Sequence, residues 1–332
     1  MNSRLRSFGI AGSGTYLPRH QVTIDALAEL TGVTPESIRK AYGITKRHWA
    51  DAQETSSAMG AYAAQEALEQ AGWRAEDLDV LIGACGVMEQ PIPGTSVLIQ
   101  RRLGIGDSGI PAFDINATCL SFMVAFDRVL AGFALGEWRR ALIVCADIAS
   151  AALDFSKPEA SLLFGDGAAA IALEADGPHR RLAYRFATFG NGADACRLEA
   201  GGTRLRPHED LEGFLAHSRF AMDGRAVFRA SGQRFPEFLA RLLADSGIDT
   251  EALDLVIPHQ ASGAALEHLK RSIPGGHVKT IDIYADIGNQ IATSLPFALH
   301  HARQQGRIKS GETTLMIGSS AGISLGGAVI RW

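Results

Sequence analysis

Three residues of this chain have types and settings that could do chemistry together. Cys119 falls in Pro111–Phe126, a segment that reads as a short apolar strand, a turn and the first turn of an amphipathic helix. Unpaired backbone N–H groups and the positive end of a helix dipole at such a start favour thiolate, the reactive form of cysteine. His259, in Ile-Pro-His-Gln-Ala, directly follows an apolar strand pattern, and an imidazole there can donate a hydrogen bond or act as a base near neutrality. Asn289, in Asp-Ile-Gly-Asn-Gln, is a donor that cannot titrate, which suits orienting a carbonyl or stabilising an enolate oxygen. A cysteine that takes an acyl group from a thioester leaves negative charge on the carbonyl oxygen, and that charge needs fixed N–H donors. The Cys119 amide is one candidate, and the small residues of Gly318–Gly327 offer another. Taken singly, each residue has a plainer reading as a buried hydrophobe, a structural histidine or a turn residue. The chemistry requires that the three meet.

The elements that would bring them together occur twice. Glu66–Ile82 resembles Arg241–Ile257: each is a helix end, a glycine stop, a short link and a β-branched strand. Asp79 and Asp254 stand 175 positions apart. At a similar offset Ala112-Phe-Asp-Ile, a helix and Arg140-Ala-Leu-Ile-Val parallel Thr280-Ile-Asp-Ile, a helix and Thr314-Leu-Met-Ile. The pattern predicts an α/β protein of two pseudo-equivalent halves, 1–175 with the cysteine and 176–332 with the histidine and asparagine. Strands flanked by helices at this spacing imply parallel or mixed sheets covered on both faces. Cys119 and Asn289 then occupy similar strand-to-helix junctions, and all three residues converge at the seam, where strand ends gather ligands.

Composition sets the class. The chain has 332 residues, 46% hydrophobic and 20% charged, with a net charge of −4. These values are those expected of a soluble globular protein with a large core and give no sign of nucleic-acid binding. Four cysteines lack disulfide or metal spacing. The first residues lack a signal-peptide core, and no stretch is read as approaching the roughly 18 apolar residues of a membrane span, so a cytoplasmic location is expected. Gly9–Gly14 has the look of a nucleotide-binding loop, but Tyr16-Leu-Pro follows where a helix is needed. His208, His217, His268, His300 and His301 lack acidic or cysteine partners at metal-binding spacing and are read as scattered surface residues; no metal is expected.

Several segments resemble a known family. Asn-Ala-Thr-Cys119-Leu-Ser-Phe, Leu163–Ala170, Met222–Arg229, Ile257-Pro-His-Gln-Ala, Gly288-Asn and Gly326–Trp332 are similar to signature segments of β-ketoacyl-acyl carrier protein synthase III, from Gly12 to the last residue. The resemblance implies the thiolase fold, two halves in five layers (αβαβα), and a homodimer. It makes Cys119 the acyl-accepting nucleophile, and His259 and Asn289 the pair that holds the extender carbonyl and the enolate. Counting back from the C-terminus, it puts Ala321 at the second oxyanion-hole amide, beside that of Cys119. The implied reaction is a decarboxylating condensation of an acyl thioester with a malonyl thioester, fed by acyl-CoA or acyl carrier protein and without a metal or redox cofactor. Relatives within the fold fit less well. Thiolases carry a second cysteine where this chain has Gly318-Ser-Ser-Ala, and elongating ketosynthases carry a second histidine where it has Asn289. The head-to-head condensing enzymes of olefin biosynthesis use a glutamate where it has Ile92.

The chain also departs from the family. Ser37 and Ala41 replace the tryptophan and arginine that clamp the coenzyme A nucleotide, leaving Arg39, Lys40, Lys46 and Arg47 as candidate phosphate ligands or a solvated basic face. Ala264 replaces a carrier-docking arginine, Arg229 retains charge at a second docking position, and Arg225 and Arg234 lie close by in sequence. Ile92 stands where an aromatic of the partner subunit closes the acyl channel, which predicts acceptance of medium or longer chains. Two other functions stay open: acyl transfer from Cys119 to an alcohol or amine, and a non-catalytic subunit of a heterodimer.

Overall fold

The computed structural model describes residues 7–332. The strands among them are β1 (Ser7–Tyr16), β2 (His20–Thr23), β3 (Lys46–Trp49), β4 (Val80–Gly83), β5 (Ala112–Asp114), β6 (Arg140–Asp147), β7 (Gly167–Ala175), β8 (His179–Gly192), β9 (Cys196–Arg197), β10 (Ala221–Met222), β11 (Leu255–Pro258), β12 (Thr313–Ser320) and β13 (Gly322–Arg331). Nine of them run in the order β11-β12-β13-β8-β1-β7-β6-β4-β5. The link between β1 and β8 is slight, only Ser7 with Arg180 and Phe8 with His179.

On either side of that link the same path is traced. In one half β4 lies parallel to β5 and β6, β6 is antiparallel to β7, and β7 to β1. In the other, β11 is parallel to β12 and bridges Thr280 in parallel, β12 is antiparallel to β13, and β13 to β8. Strands buried on both faces need continuous apolar runs, and Ala141–Ala146 and Leu315–Ile317 supply them.

Helices fill three layers around the two sheets. The middle layer pairs Ser121–Leu135 with Ser294–Gln304; Phe122, Phe126, Val129, Leu295 and Leu299 join residues of both sheets in one core. Removing side chains of this size from water stabilises by about 1.5–3 kcal/mol each. Ser56–Ala71 covers the outer face of one sheet, and Gly224–Ser246 the outer face of the other. The result is αβαβα.

Thr118–Leu135 corrects one expectation. Its 18 residues, with a mean hydropathy of 1.6, are long and apolar enough to cross a membrane, and the sequence reading passed over it. The apolarity has another source here, because this helix packs between two sheets rather than on one. The Gly9–Gly14 run lies within strand β1. A Cβ at Gly12 or Gly14 would collide with the carbonyl oxygens of Ala67 and Ala63, so these glycines let helix Ser56–Ala71 lie directly on the strand.

Candidate active site

Each half builds a turn from the same parts. In Asn116–Ser121, the Asn116 Oδ1 accepts from the Thr118 N–H (2.9 Å), the Ala117 N–H donates to Ser121 Oγ (2.9 Å), and Thr118 has a φ of 53°. In Asn289–Ser294, the Asn289 Oδ1 accepts from the Ile291 N–H (2.9 Å), the Gln290 N–H donates to Ser294 Oγ (3.0 Å), and Ile291 has a φ of 52°. A non-glycine residue at positive φ is strained by roughly 1–3 kcal/mol, so two such turns mark places where the fold imposes geometry. The structural mate of Asn289 is therefore Asn116, and that of Cys119 is Ala292. One half contributes the fourth residue of the turn, the other the first.

The two turns and the end of β11 open on one cavity of about 1410 Å³ lined by Cys119, His259, Asn289 and Ala321. Cys119 sits in the 3₁₀ turn Thr118–Leu120 that leads into helix Ser121–Leu135. It packs against an apolar cluster of Ala149, Leu153, Phe164 and Ile291. His259 is held by its backbone, whose N–H donates to Ile317 O (2.9 Å). Gly318 leaves room for it, since a Cβ there would lie 2.8 Å from that of His259. Asn289 Nδ2 donates to Ala261 O (3.3 Å); with Oδ1 taken by Ile291, the amide cannot flip and one N–H remains for a ligand.

Electrostatics alters two expectations. Burial pushes the Cys119 thiol up to about 12, reinforced by the nearby Cys196 thiol and Asp147 carboxylate and opposed by hydrogen bonds from Ser320 and the Ala321 amide. Desolvation outweighs the helix start, so the free thiol is not poised as thiolate. Burial also pushes His259 down to about 4, and its Nδ1 has no partner among the described residues. At neutral pH it is an uncharged imidazole and a weak base, not the near-neutral group expected from sequence. The Cys119 N–H, the expected oxyanion donor, is given to Ser320 Oγ (3.2 Å).

The tentative binding residues separate. Arg229 lines the cavity, as do Arg225 and Ala264. Arg39 is exposed and does not line it. Ile92 is 85% exposed and likewise outside the lining of its own cavity. Arg47 is not a phosphate ligand: it is fully buried and donates to the carbonyl oxygens of Leu162 (3.3 Å), Tyr284 (3.2 Å) and Ala285 (3.1 Å), bracing the loops on either side of Asn289. Arg234 turns away to Ala230 O and over the ring of Phe189. His300 is not a surface residue; it is buried beside Ser13 Oγ (3.1 Å).

Asp147 escaped the sequence reading. Burial raises its carboxyl to about 6, and it accepts from the N–H groups of Gly86 (2.7 Å), Val87 (2.8 Å) and Thr293 (3.1 Å), tying the loop beside Cys119 to the turn that begins at Asn289. A carboxylate ending the apolar run Ala141–Ala146 was the signal available.

A duplicated αβαβα fold with cysteine, histidine and asparagine gathered at its seam is the architecture of the thiolase-fold condensing enzymes. Residues 113–190 match the family model described as 3-oxoacyl-[acyl-carrier-protein (ACP)] synthase III, and residues 243–332 its C-terminal counterpart. The chain is similar to the β-ketoacyl-[acyl-carrier-protein] synthase III of Rhodospirillum rubrum (35% identity, 97% of this chain and 98% of that one) and of Laribacter hongkongensis (33%, 97% and 98%). Among solved structures it resembles 3-oxoacyl-[acyl-carrier-protein] synthase III of Aquifex aeolicus (TM-score 0.87, 29% identity, 98% of this chain and 100% of that one). OleA of Xanthomonas campestris, at 21% identity and a TM-score of 0.85 over 100% of both chains, shares the fold alone. The chain belongs to the β-ketoacyl-acyl carrier protein synthase III family, and is a condensing enzyme.

Proposed function

We propose that this enzyme, built from halves 1–175 and 176–332, loads an acyl group on Cys119 and condenses it with a malonyl thioester. The observation that carries this reading is the meeting of Cys119, the Ala321 amide, His259 and Asn289 on one largely apolar cavity. In the first half-reaction Cys119 Sγ attacks the thioester carbon. The C–S bond to the donor breaks, the acyl–Sγ bond forms, and the thiol proton ends on the departing thiol. The Ala321 N–H, next to Sγ, is positioned to take the developing oxyanion.

In the second half-reaction the malonyl thioester carbonyl accepts from His259 and Asn289. Loss of CO₂ leaves an enolate on that oxygen; its carbon attacks the acyl–Cys119 carbonyl, and the sulfur leaves. Neutral donors suit this step, because they stabilise the enolate without protonating its carbon. The thioester supplies the leaving group, so the chemistry asks for no metal or redox cofactor. An imidazole titrating near 4 is a poor general base for an alcohol or amine, which weighs against simple acyl transfer. Acyl carrier protein or acyl-CoA is proposed as donor, with Arg225 and Arg229 at the cavity available to an acidic carrier.

The test is intact-mass measurement after incubation with acyl-CoA and acyl-carrier donors of graded length, with and without malonyl thioester. An adduct on Cys119 that malonyl thioester discharges as β-ketoacyl product supports the reading. An adduct stable to malonyl thioester but removed by an alcohol or amine would replace condensation with transfer, and no adduct would favour a non-catalytic subunit.

A further inference from the structure

Ser320 ends β12, in the half opposite to Cys119, and crosses 201 positions of sequence to reach it. Its side chain is buried, with the residue 5% exposed, and it lines the cavity. The hydroxyl accepts from the Cys119 N–H (3.2 Å) and donates to Ala117 O (3.0 Å). It therefore grips the turn on both sides of the strained Thr118. Ser320, Ala321 and Cys119 line the same cavity, and the Ser320 hydroxyl and Ala321 amide both act on the Cys119 thiol in the direction that favours its charged form.

We infer that Ser320 is the hydroxyl donor that holds the Cys119 thiolate during acyl loading. The inference rests on Cys119 being the acyl acceptor. A serine hydroxyl has one hydrogen and two lone pairs. In the resting turn one lone pair faces the Cys119 N–H and the hydrogen faces a neutral carbonyl. When Sγ loses its proton, a bond from O–H to a charged sulfur is worth roughly twice one to a neutral acceptor. The hydrogen then swings from Ala117 O to Sγ. The serine proton itself is not transferred: the acyl carbon changes sulfur, and the thiol proton leaves on the departing donor thiol. Such a donor answers a specific need, since apolar burial otherwise disfavours the thiolate and the Cys119 N–H is already engaged.

The test uses the full-length protein and the variants Ser320→Ala and Ser320→Thr. Alkylation of Cys119 by iodoacetamide, with the site confirmed by peptide mass, is followed across pH, alongside acyl loading and decarboxylation of malonyl thioester. Ser320→Ala is expected to slow alkylation and loading in parallel, each about tenfold at a given pH, the displacement produced by one unit of thiol pKa. Decarboxylation of malonyl thioester, in which Cys119 Sγ takes no part, should stay within about twofold, and Ser320→Thr should restore both thiol rates. An alkylation profile superimposable on wild type would overturn the inference. So would equal losses in both variants, which would reduce Ser320 to a brace for the turn. Faster loading in Ser320→Ala would also overturn it, showing that the hydroxyl merely occupies the Cys119 amide. An acyl adduct away from Cys119 would instead sink the proposed function, whatever Ser320 does.

Discussion

At the scale of single residues, the site separates a step that needs a charged sulfur from one that needs neutral donors. Cys119→Ser should abolish loading, whereas His259→Ala and Asn289→Ala should leave loading within a few-fold and slow condensation by roughly 100-fold, the usual loss for one oxyanion-type donor. Rapid-quench loading followed by malonyl chase separates the two; equal loss of loading in all three would contradict the division. His259 also predicts a pH dependence of stability. Its folded value, about 4, lies below the ordinary 6.5. Above 6.5 neither folded nor unfolded chain holds the proton, and this contribution is fully present. As pH falls from 6.5 towards 4 only the unfolded chain binds it, and stability drops by about 3 kcal/mol. Asp147, raised from 3.8 to about 6, has the opposite slope over nearly the same range. The prediction is therefore made for the difference between wild type and His259→Gln: the unfolding free energy of wild type relative to the variant should fall by about 3 kcal/mol between pH 7 and pH 4, the variant being the less sensitive to acid, and a difference independent of pH would contradict it.

At the scale of elements, the repeat was legible because helix, glycine stop and strand recur at an offset near 175. The matching of the two turns was not, since Asn-Ala-Thr-Cys-Leu-Ser and Asn-Gln-Ile-Ala-Thr-Ser share only their ends. What makes them equivalent is an asparagine carboxamide, a serine hydroxyl and a positive φ, all set by backbone geometry. Cys119 was legible as a thiol at a helix start, but its protonation was not, because desolvation depends on Leu153 and Phe164 from distant segments. Ser320 looked like one small residue among several until its partners were known. The Gly9–Gly14 run is explained at this scale as well. Gly12→Ala should push helix Ser56–Ala71 off β1 and lower stability by about 3 kcal/mol, because the obstacle is a backbone carbonyl that cannot rotate away. Denaturant unfolding checks it; a neutral result would mean the strand–helix contact is looser than drawn.

For the whole molecule, the seam that gathers the catalytic groups also sets where specificity can come from. The two turns face each other across the halves, so the reacting end of the cavity is built within one chain. Ile92 does not belong to that end. With 85% of its surface exposed and no place in the lining of its own cavity, it can limit acyl length only by entering the cavity of a second copy. This makes the proposed homodimer testable through substrate choice. In mixed dimers one chain carries Cys119→Ser, so every acyl adduct reports on the other. If Ile92→Trp is placed on the Cys119→Ser chain, the intact cysteine faces the bulkier residue across the dimer, and loading should shift from long donors towards short ones. If Ile92→Trp is placed on the chain with the intact cysteine, the length profile should match wild type. The reverse pattern would mean that Ile92 folds over its own cavity. Identical profiles in both mixtures would remove Ile92 from the acyl channel and leave chain length to the residues around Phe164 and Leu153.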